Sequence, residues 1–258
     1  MLEFDEETTA ILNVAYRGGD ITRRRREIQA VLAPKPGECI ADVGCGNGFM
    51  TLEMARSVGP QGRIIGVDPS ADMLRAAADL CEGMDQIDLR EGLAAPLPIA
   101  DGALDGYTAL QVFEYLDDLP SALSEAHRAL RDGGRLAIGD MHFDSWIWHS
   151  ADPDRMNRMM ASWDTHLADR CVPARLPALL GAAGFSHVTV TPVVFQDAVL
   201  RPDGLANMLL ILMDRHARTH GHLPEGEVQA WAQEQRDLAE SGQFFFAITH
   251  FVVAATKG

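Results

Sequence analysis

The sequence predicts an α/β protein built on a parallel, doubly wound sheet. Between Glu38 and Asp140 short apolar runs alternate with helical stretches, and parallel neighbours need crossover connections of that kind. The first run ends in "ADVGCGNGFM", residues 41–50, with Gly44, Gly46 and Gly48 at every second position. The second run ends in Asp68. In open α/β sheets, ligands bind outside the carboxyl ends of the strands, so both features fall where a ligand belongs.

The elements follow in order. Residues 5–33 read as two helices broken at Gly18-Gly19, and "APKPGE" is a turn. "CIADV" is the first strand. "FMTLEMARSV" is a helix with Met50, Met54 and Val58 on one face. "RIIGVD" is the second strand. A helix follows, with Ser70 as N-cap and Gly83 near its end. "QIDLRE" and "ALDGYTAL" are the third and fourth strands. The next helix carries Leu119, Leu123, Ala126 and Leu130 on one stripe, and Gly133-Gly134 stops it. "RLAIGD" is the fifth strand. Beyond Asp140 the regularity loosens, and residues 141–183 read as helical. "HVTVTPVVF" alternates as a strand, residues 201–241 are helical, and "QFFFAITHFVVAAT" closes the chain as a long apolar strand.

Composition sets outer bounds. The chain has 258 residues, 47% hydrophobic and 23% charged, which suits one large domain or one domain with an insertion. No apolar run is long enough to cross a bilayer. The N-terminus is acidic and lacks the order of a signal peptide. Cys39, Cys45, Cys81 and Cys171 form no CxxC pair, which points to a reduced, cytoplasmic protein and no metal site. A net charge of −15 repels phosphate backbones, so nucleic acid is not an expected partner. Arg23 to Arg26 form one basic knot, either a solvated helix face or a reach toward an anionic ligand group.

The glycine spacing narrows the ligand. A dinucleotide turn prefers G-x-G-x-x-G, and here residue 49 is Phe. Asp42 would repel a pyrophosphate but can accept hydrogen bonds from an ammonium group or water. The expected ligand is therefore cationic or zwitterionic. An acid at the position of Asp68 can accept from both hydroxyls of a ribose. Each piece has a plainer reading: glycine turns are common, and an Asp at a strand end often caps the next helix.

In combination, "IADVGCGNGFMTLEMA", "RIIGVDPSADML" and "PLPIADGALDGYTALQVFEYLDDLPSALSEAHRALRDGGRLAIGD" resemble class I S-adenosylmethionine-dependent methyltransferases. Within that family the closest flavour is the small-molecule group of ubiquinone/menaquinone type. The resemblance covers residues 20–140 and implies a Rossmann-like seven-stranded sheet with its last strand antiparallel. It further implies a helical lid over 1–34, a cofactor-binding core over 35–140, and a helical cap and closing strands of the same domain over 141–258. The implied cofactor is S-adenosyl-L-methionine, and the implied partner is a small-molecule acceptor. Gly44, Cys45 and Gly46 would pack under its methionine and adenosine parts, and Asp42 would face the ammonium. Asp68 would hold the ribose, Pro69 and Met73 would flank the adenine, and Gln111 would lie beside the methionine. Phe113 and Tyr115 would border the sulfonium or the acceptor. Where many relatives have Gly-Asp-Ala, this chain has Gly92-Leu93-Ala94, and backbone groups would replace the lost carboxylate. Tyr16 and Arg25 are the lid residues expected to reach the cofactor carboxylate.

The resemblance implies methyl transfer by in-line displacement, and the acceptor side is less defined. His142, just past the fifth strand, is the expected general base, with Asp140 or Asp144 as partner and His149 and His166 as alternatives. Trp146, Trp148 and Trp163 would form an aromatic wall for a planar or lipophilic acceptor, with Phe245 at its border; the alternative is that they only pack the cap. An oxidoreductase is disfavoured by Phe49 and Asp42. A cofactor-binding scaffold or a cyclase of the same fold stays open. Nothing in the sequence separates a monomer from a homodimer.

Overall fold

A computed structural model of the chain describes residues 16–258; most of the first expected lid helix lies outside them. The strands are β1 Cys39–Val43, β2 Arg63–Asp68, β3 Ile87–Glu91, β4 Leu104–Leu110, β5 Leu130–Trp148, β6 Phe185–Asp197 and β7 Phe246–Lys257. They form one seven-stranded sheet in the order β3-β2-β1-β4-β5-β7-β6, with the last strand antiparallel. The helices among the described residues are α1 Gly19–Leu32, α2 Phe49–Val58, α3 Ala71–Leu80, α4 Leu119–Ala129, α5 Pro153–Asp164, α6 Val172–Ala182, α7 Leu205–His220 and α8 Glu225–Glu240.

The order places the switch point at β1. Val43 pairs in parallel with Val67 of β2 on one side and with Ala109 of β4 on the other. The chain leaves β1 toward β2 and returns later to β4, so the crossovers diverge and a crevice opens at the carboxyl ends of these strands. β1 needs apolar residues on both faces because the sheet is covered on both, and residues 40–43 are all buried. α2 buries Met50, Met54 and Val58, as their spacing predicts. Ser70 caps α3 by accepting from the Met73 N–H at 3.3 Å. Asp118 caps α4 in the same way, accepting from Ser121 N–H at 3.0 Å.

Three boundaries differ from the sequence reading. α3 ends at Leu80 with Cys81 as its cap residue, ahead of Gly83. α4 ends at Ala129, because Leu130 is already extended and pairs with Leu104; Gly133-Gly134 sits in a register shift of β5 and does not terminate the helix. β5 continues through Trp148, where a helix was expected. Its tail alternates buried Met141, Phe143, Trp146 and Trp148 with half-buried or exposed polar residues and Ile147, which is a strand period and not a helical one.

The chain divides into two compact units. The larger comprises 24–141, 171–193 and 251–258. Its core joins Val43, Val67, Tyr107, Leu123, Leu136, Leu176 and Val253. The smaller comprises residues up to 23, 142–170 and 194–250. In it α5, α7 and α8 pack together around Trp148, whose ring meets Trp231 at 5.8 Å and Phe246 at 4.8 Å. Buried Gln235 accepts from the Trp148 indole N–H at 2.9 Å, which removes the cost of burying both polar groups.

Candidate functional site

The glycine turn follows β1. Gly44 has φ 70°, and a Cβ there would lie 2.2 Å from Cγ2 of Val112. That glycine serves the protein itself, letting the loop after β4 press on the turn. Gly48 does the same for α3, since a Cβ would meet Ala77 at 2.9 Å. Gly46 is different. It has φ 53°, and its missing Cβ points into open space with nothing within 4 Å. Of the three glycines of this turn, only Gly46 has open space where a Cβ would stand. Cys45 is buried, and burial raises its thiol, with Asp42 and Asp68 adding to the effect; it is an inert packing group.

Two acids frame the turn. Asp68 accepts from Gly46 N–H at 2.9 Å through Oδ2 and from Ser70 N–H at 2.9 Å through Oδ1. It ties the turn to the start of α3, and each oxygen keeps a second lone pair. Asp42 is 1% exposed and accepts from Thr51 Oγ1 at 2.6 Å. Burial pushes its carboxyl up to about 7, against the Thr51 hydrogen bond and with the help of Asp68. Pro69 is exposed and Met73 half-buried. Gly92 donates to the Asp68 carbonyl at 3.1 Å. Leu93 is 54% exposed, while Ala94 is buried, so the leucine stands out from the segment that the expected Asp would have occupied.

Gln111 follows β4 with φ 58° and donates its backbone N–H to Gly139 at 2.7 Å. Its Nε2 donates to Glu114 at 3.0 and 3.2 Å. Residues 113–115 form a 3-10 turn. Phe113 is fully buried in the core cluster, so it does not border a ligand. Tyr115 hydrogen-bonds Glu114 through its side chain. Glu114 is 2% exposed; burial pushes it up to about 7, against the pull of Arg24, Tyr115 and Gln111. Asp140 is fully buried, accepts from Val112 N–H at 3.1 Å, and leaves Oδ2 without a hydrogen bond. Burial and then the Glu114 charge push it well above the usual carboxylate range. Two facing buried carboxyls do not both ionise readily, so each raises the other.

Sequence reasoning missed Glu114 and Arg24. No sequence signal marks this pairing, because the contact of Gln111 with Glu114 depends on a left-handed residue just ahead of the 3-10 turn. Arg25 is buried, with its guanidinium on Glu53 at 2.9 Å and over the Phe49 ring at 5.2 Å. A ring and a carboxylate of its own unit therefore occupy it. Tyr16 is half-buried at the edge of the described residues.

The acceptor candidates fall in the smaller unit. His142 is half-buried, and its carbonyl accepts from Ser145 Oγ at 2.7 Å. Trp146 and Phe245 line a cavity of about 510 Å³ with Ile147, Trp148, Met156 and Met160. Trp146 meets Phe143 edge-on at 5.4 Å and Trp148 at 6.0 Å. Phe245 is 40% exposed. Trp163 is not on this wall. It packs on His166 at 4.1 Å. The structure thus gathers two of the three residues expected to form an aromatic wall, and adds two methionines.

Residues 41–138 match the model of the methyltransferase domain. A search of curated proteins finds an uncharacterized 37.1 kDa protein in transposon TN4556 of Streptomyces fradiae, 32% identical over 87% of this chain and 64% of that protein. It also finds the demethylmenaquinone methyltransferase of Desulfitobacterium hafniense, 38% identical over 46% of this chain and 47% of the relative. The chain therefore spans about half to under two thirds of the length of these relatives. Among solved structures, the YcgJ protein of Bacillus subtilis shares the fold with a TM-score of 0.61 at 18% identity, over 92% of this chain and 98% of that one. The sheet order and the glycine turn define a class I methyltransferase fold. Over residues 41–138 the chain is similar to the methyltransferase domain.

Proposed function

We propose that the chain transfers a methyl group from S-adenosyl-L-methionine to a small aromatic or lipophilic acceptor. The observation that carries the cofactor is the open space at Gly46, whose N–H is held by Asp68, with the second acid, Asp42, two residues before the glycine turn. No phosphate group would be welcome beside two acids, whereas a ribose and an ammonium are served by them. Asp68 takes the ribose hydroxyls through its remaining lone pairs, Asp42 faces the ammonium side, and Gln111 lines the methionine side. Pro69 and Met73 flank the adenine, with backbone groups of Gly92, Leu93 and Ala94 at its edge. Glu114 positions Gln111 and Tyr115.

When bound, the sulfonium supplies an electrophilic methyl carbon, and the protein contributes orientation and exclusion of water. His142 receives the acceptor proton where the acceptor is a hydroxyl or acidic carbon. Trp146, Trp148 and Phe245 offer flat apolar area, and Met156 and Met160 supply adaptable contacts, which supports a planar lipophilic acceptor. The named relative acts on demethylmenaquinone, and a quinol is the first acceptor to try.

The test is turnover of S-adenosylmethionine with a panel of quinols, phenols and amines, reading S-adenosylhomocysteine and methylated product together. Product formation that falls at least ~10-fold in Asp68→Ala supports the reading. Tight cofactor binding with no S-adenosylhomocysteine on any acceptor would favour the scaffold or cyclase role. Full turnover by His142→Gln across pH would remove that residue from the proton path.

A further inference from the structure

The aromatic cavity of the smaller unit has a polar side. Pro153, Met156, Asn157 and Met160 recur at i, i+3, i+4 and i+7 along α5, which puts them on one helix face. That face, the β5 tail from Trp146 to Ser150, and Phe245 just ahead of β7 line about 510 Å³, a volume typical of a small-molecule site. The backbone at the rim is fixed. His149 donates its N–H to the Phe245 carbonyl at 2.9 Å, and its own carbonyl accepts from Gln235 Nε2 at 3.4 Å.

The lining is apolar except for His149, Ser150 and Asn157. Ser150 is engaged within the protein, its hydroxyl meeting Glu234 at 2.8 Å and the Asp152 carbonyl at 3.0 Å. His149 and Asn157 are exposed, and their side chains make no hydrogen bond to another described residue. An imidazole and a carboxamide can each donate and accept. Among the described residues that line the cavity, none is Asp, Glu, Lys or Arg. A charged ligand group entering here leaves water and meets no carboxylate, ammonium or guanidinium, which is costly. A neutral hydroxyl or carbonyl loses only its hydrogen bonds to water, and two side chains stand ready to replace them.

We propose that this cavity selects a neutral, flat ring system bearing a hydroxyl or carbonyl, the ring lying on the aromatic and methionine wall and the polar group held by His149 and Asn157. Phenols, quinols and quinones fit that description; ligands that must bring an ammonium, a carboxylate or a phosphate do not. Calling the bound ring the methyl acceptor rests on the methyl-transfer reading above, whereas the selection by charge and hydrogen bonding stands on the cavity alone. A site built to hydrogen-bond a polar group discriminates against the analogue that lacks it, because its own polar side chains are then left facing apolar surface.

The test is equilibrium dialysis of the full chain at pH 7.5 against probes that share one ring system: 2-naphthol, naphthalene, 2-naphthoate and 2-naphthylmethylammonium. The expected order is 2-naphthol first, naphthalene ~3–10-fold weaker for want of a hydrogen bond, and the two ions at least ~10-fold weaker than 2-naphthol. His149→Ala and Asn157→Ala should each weaken 2-naphthol ~3–10-fold and leave naphthalene within ~2-fold, and His149→Gln should restore part of the loss. Should an alanine variant not fold, the order of the probes on the parent chain decides. Equal affinity for all the probes, no binding of any, or a loss shared by 2-naphthol and naphthalene in the variants would overturn the inference. Turnover separates it from the methyl-transfer reading. The expected binding pattern with no S-adenosylhomocysteine formed would uphold the neutral-ring site and sink methyl transfer to it. Methylation of 2-naphthol with an unchanged KM in both alanine variants would overturn the site and leave methyl transfer standing.

Discussion

Gly44 and Gly46 look equivalent in the sequence, and the structure separates them. An alanine at Gly44 forces a left-handed residue and a 2.2 Å clash with Val112. We expect a loss of roughly 2–5 kcal/mol in urea unfolding. An alanine at Gly46 meets no atom; it costs only the backbone term, roughly 1–2 kcal/mol, but fills the cradle. Cofactor affinity by calorimetry should fall more than ~10-fold there. Glu114 makes a pH prediction. Its folded-state value of about 7 lies above the ~4.3 of an unfolded glutamate. Between these values the native state holds a proton that the unfolded chain has lost, so stability falls as pH rises from about 4.3 to about 7. Glu114→Gln should flatten that fall in unfolding midpoints. Asp42 and Asp140 are raised as well, so part of the slope should persist; an unchanged slope would refute the assignment. The Asp68 position was legible because a strand end and a glycine turn fix each other. The Glu114 role was not, since it depends on which side chains a short turn brings face to face.

At the level of elements, the start of α5 and α8 share one bracket. Glu234 accepts from Ser150 Oγ at 2.8 Å, Ala151 N–H at 2.6 Å and Arg155 at 2.5 Å. Burial alone would raise its carboxyl, but these donors hold it below the usual range. Its contribution is present above the unfolded value near 4.3 and lost as pH falls through the folded one. Glu234→Ala should cost about 2–3 kcal/mol at pH 7, measured by thermal unfolding, and clearly less once the pH is below the lowered folded value. The misreading of residues 141–148 belongs to this scale too. Aromatic residues such as Trp146 and Trp148 sit on either periodicity by eye; only the alternation of their burial shows a strand. β1, β2 and β4 were legible because each is short, apolar and leads on to a helix. The tail of β5 has no such punctuation.

At the scale of the whole molecule, charge is the broad lever. With −15 net charge the chain repels itself, and salt screens that repulsion over a Debye length of ~8–10 Å near physiological strength. The melting midpoint should rise between about 0.01 and 0.15 M sodium chloride; a fall would mean that ion pairs such as Arg128 with Asp101 and Arg131 with Asp105 outweigh the repulsion. No described helix is long and apolar enough to cross a membrane. The two compact units have a further consequence. The backbone passes from one to the other at Arg23–Arg24, Met141–His142, Arg170–Cys171, Val193–Val194 and His250–Phe251, and three of those joints lie inside β5, β6 and β7. A protease cut at any one joint would leave both halves still threaded through each other's sequence. Nor can recombination exchange either half by a single crossover, so in inheritance as in digestion this chain behaves as one indivisible text.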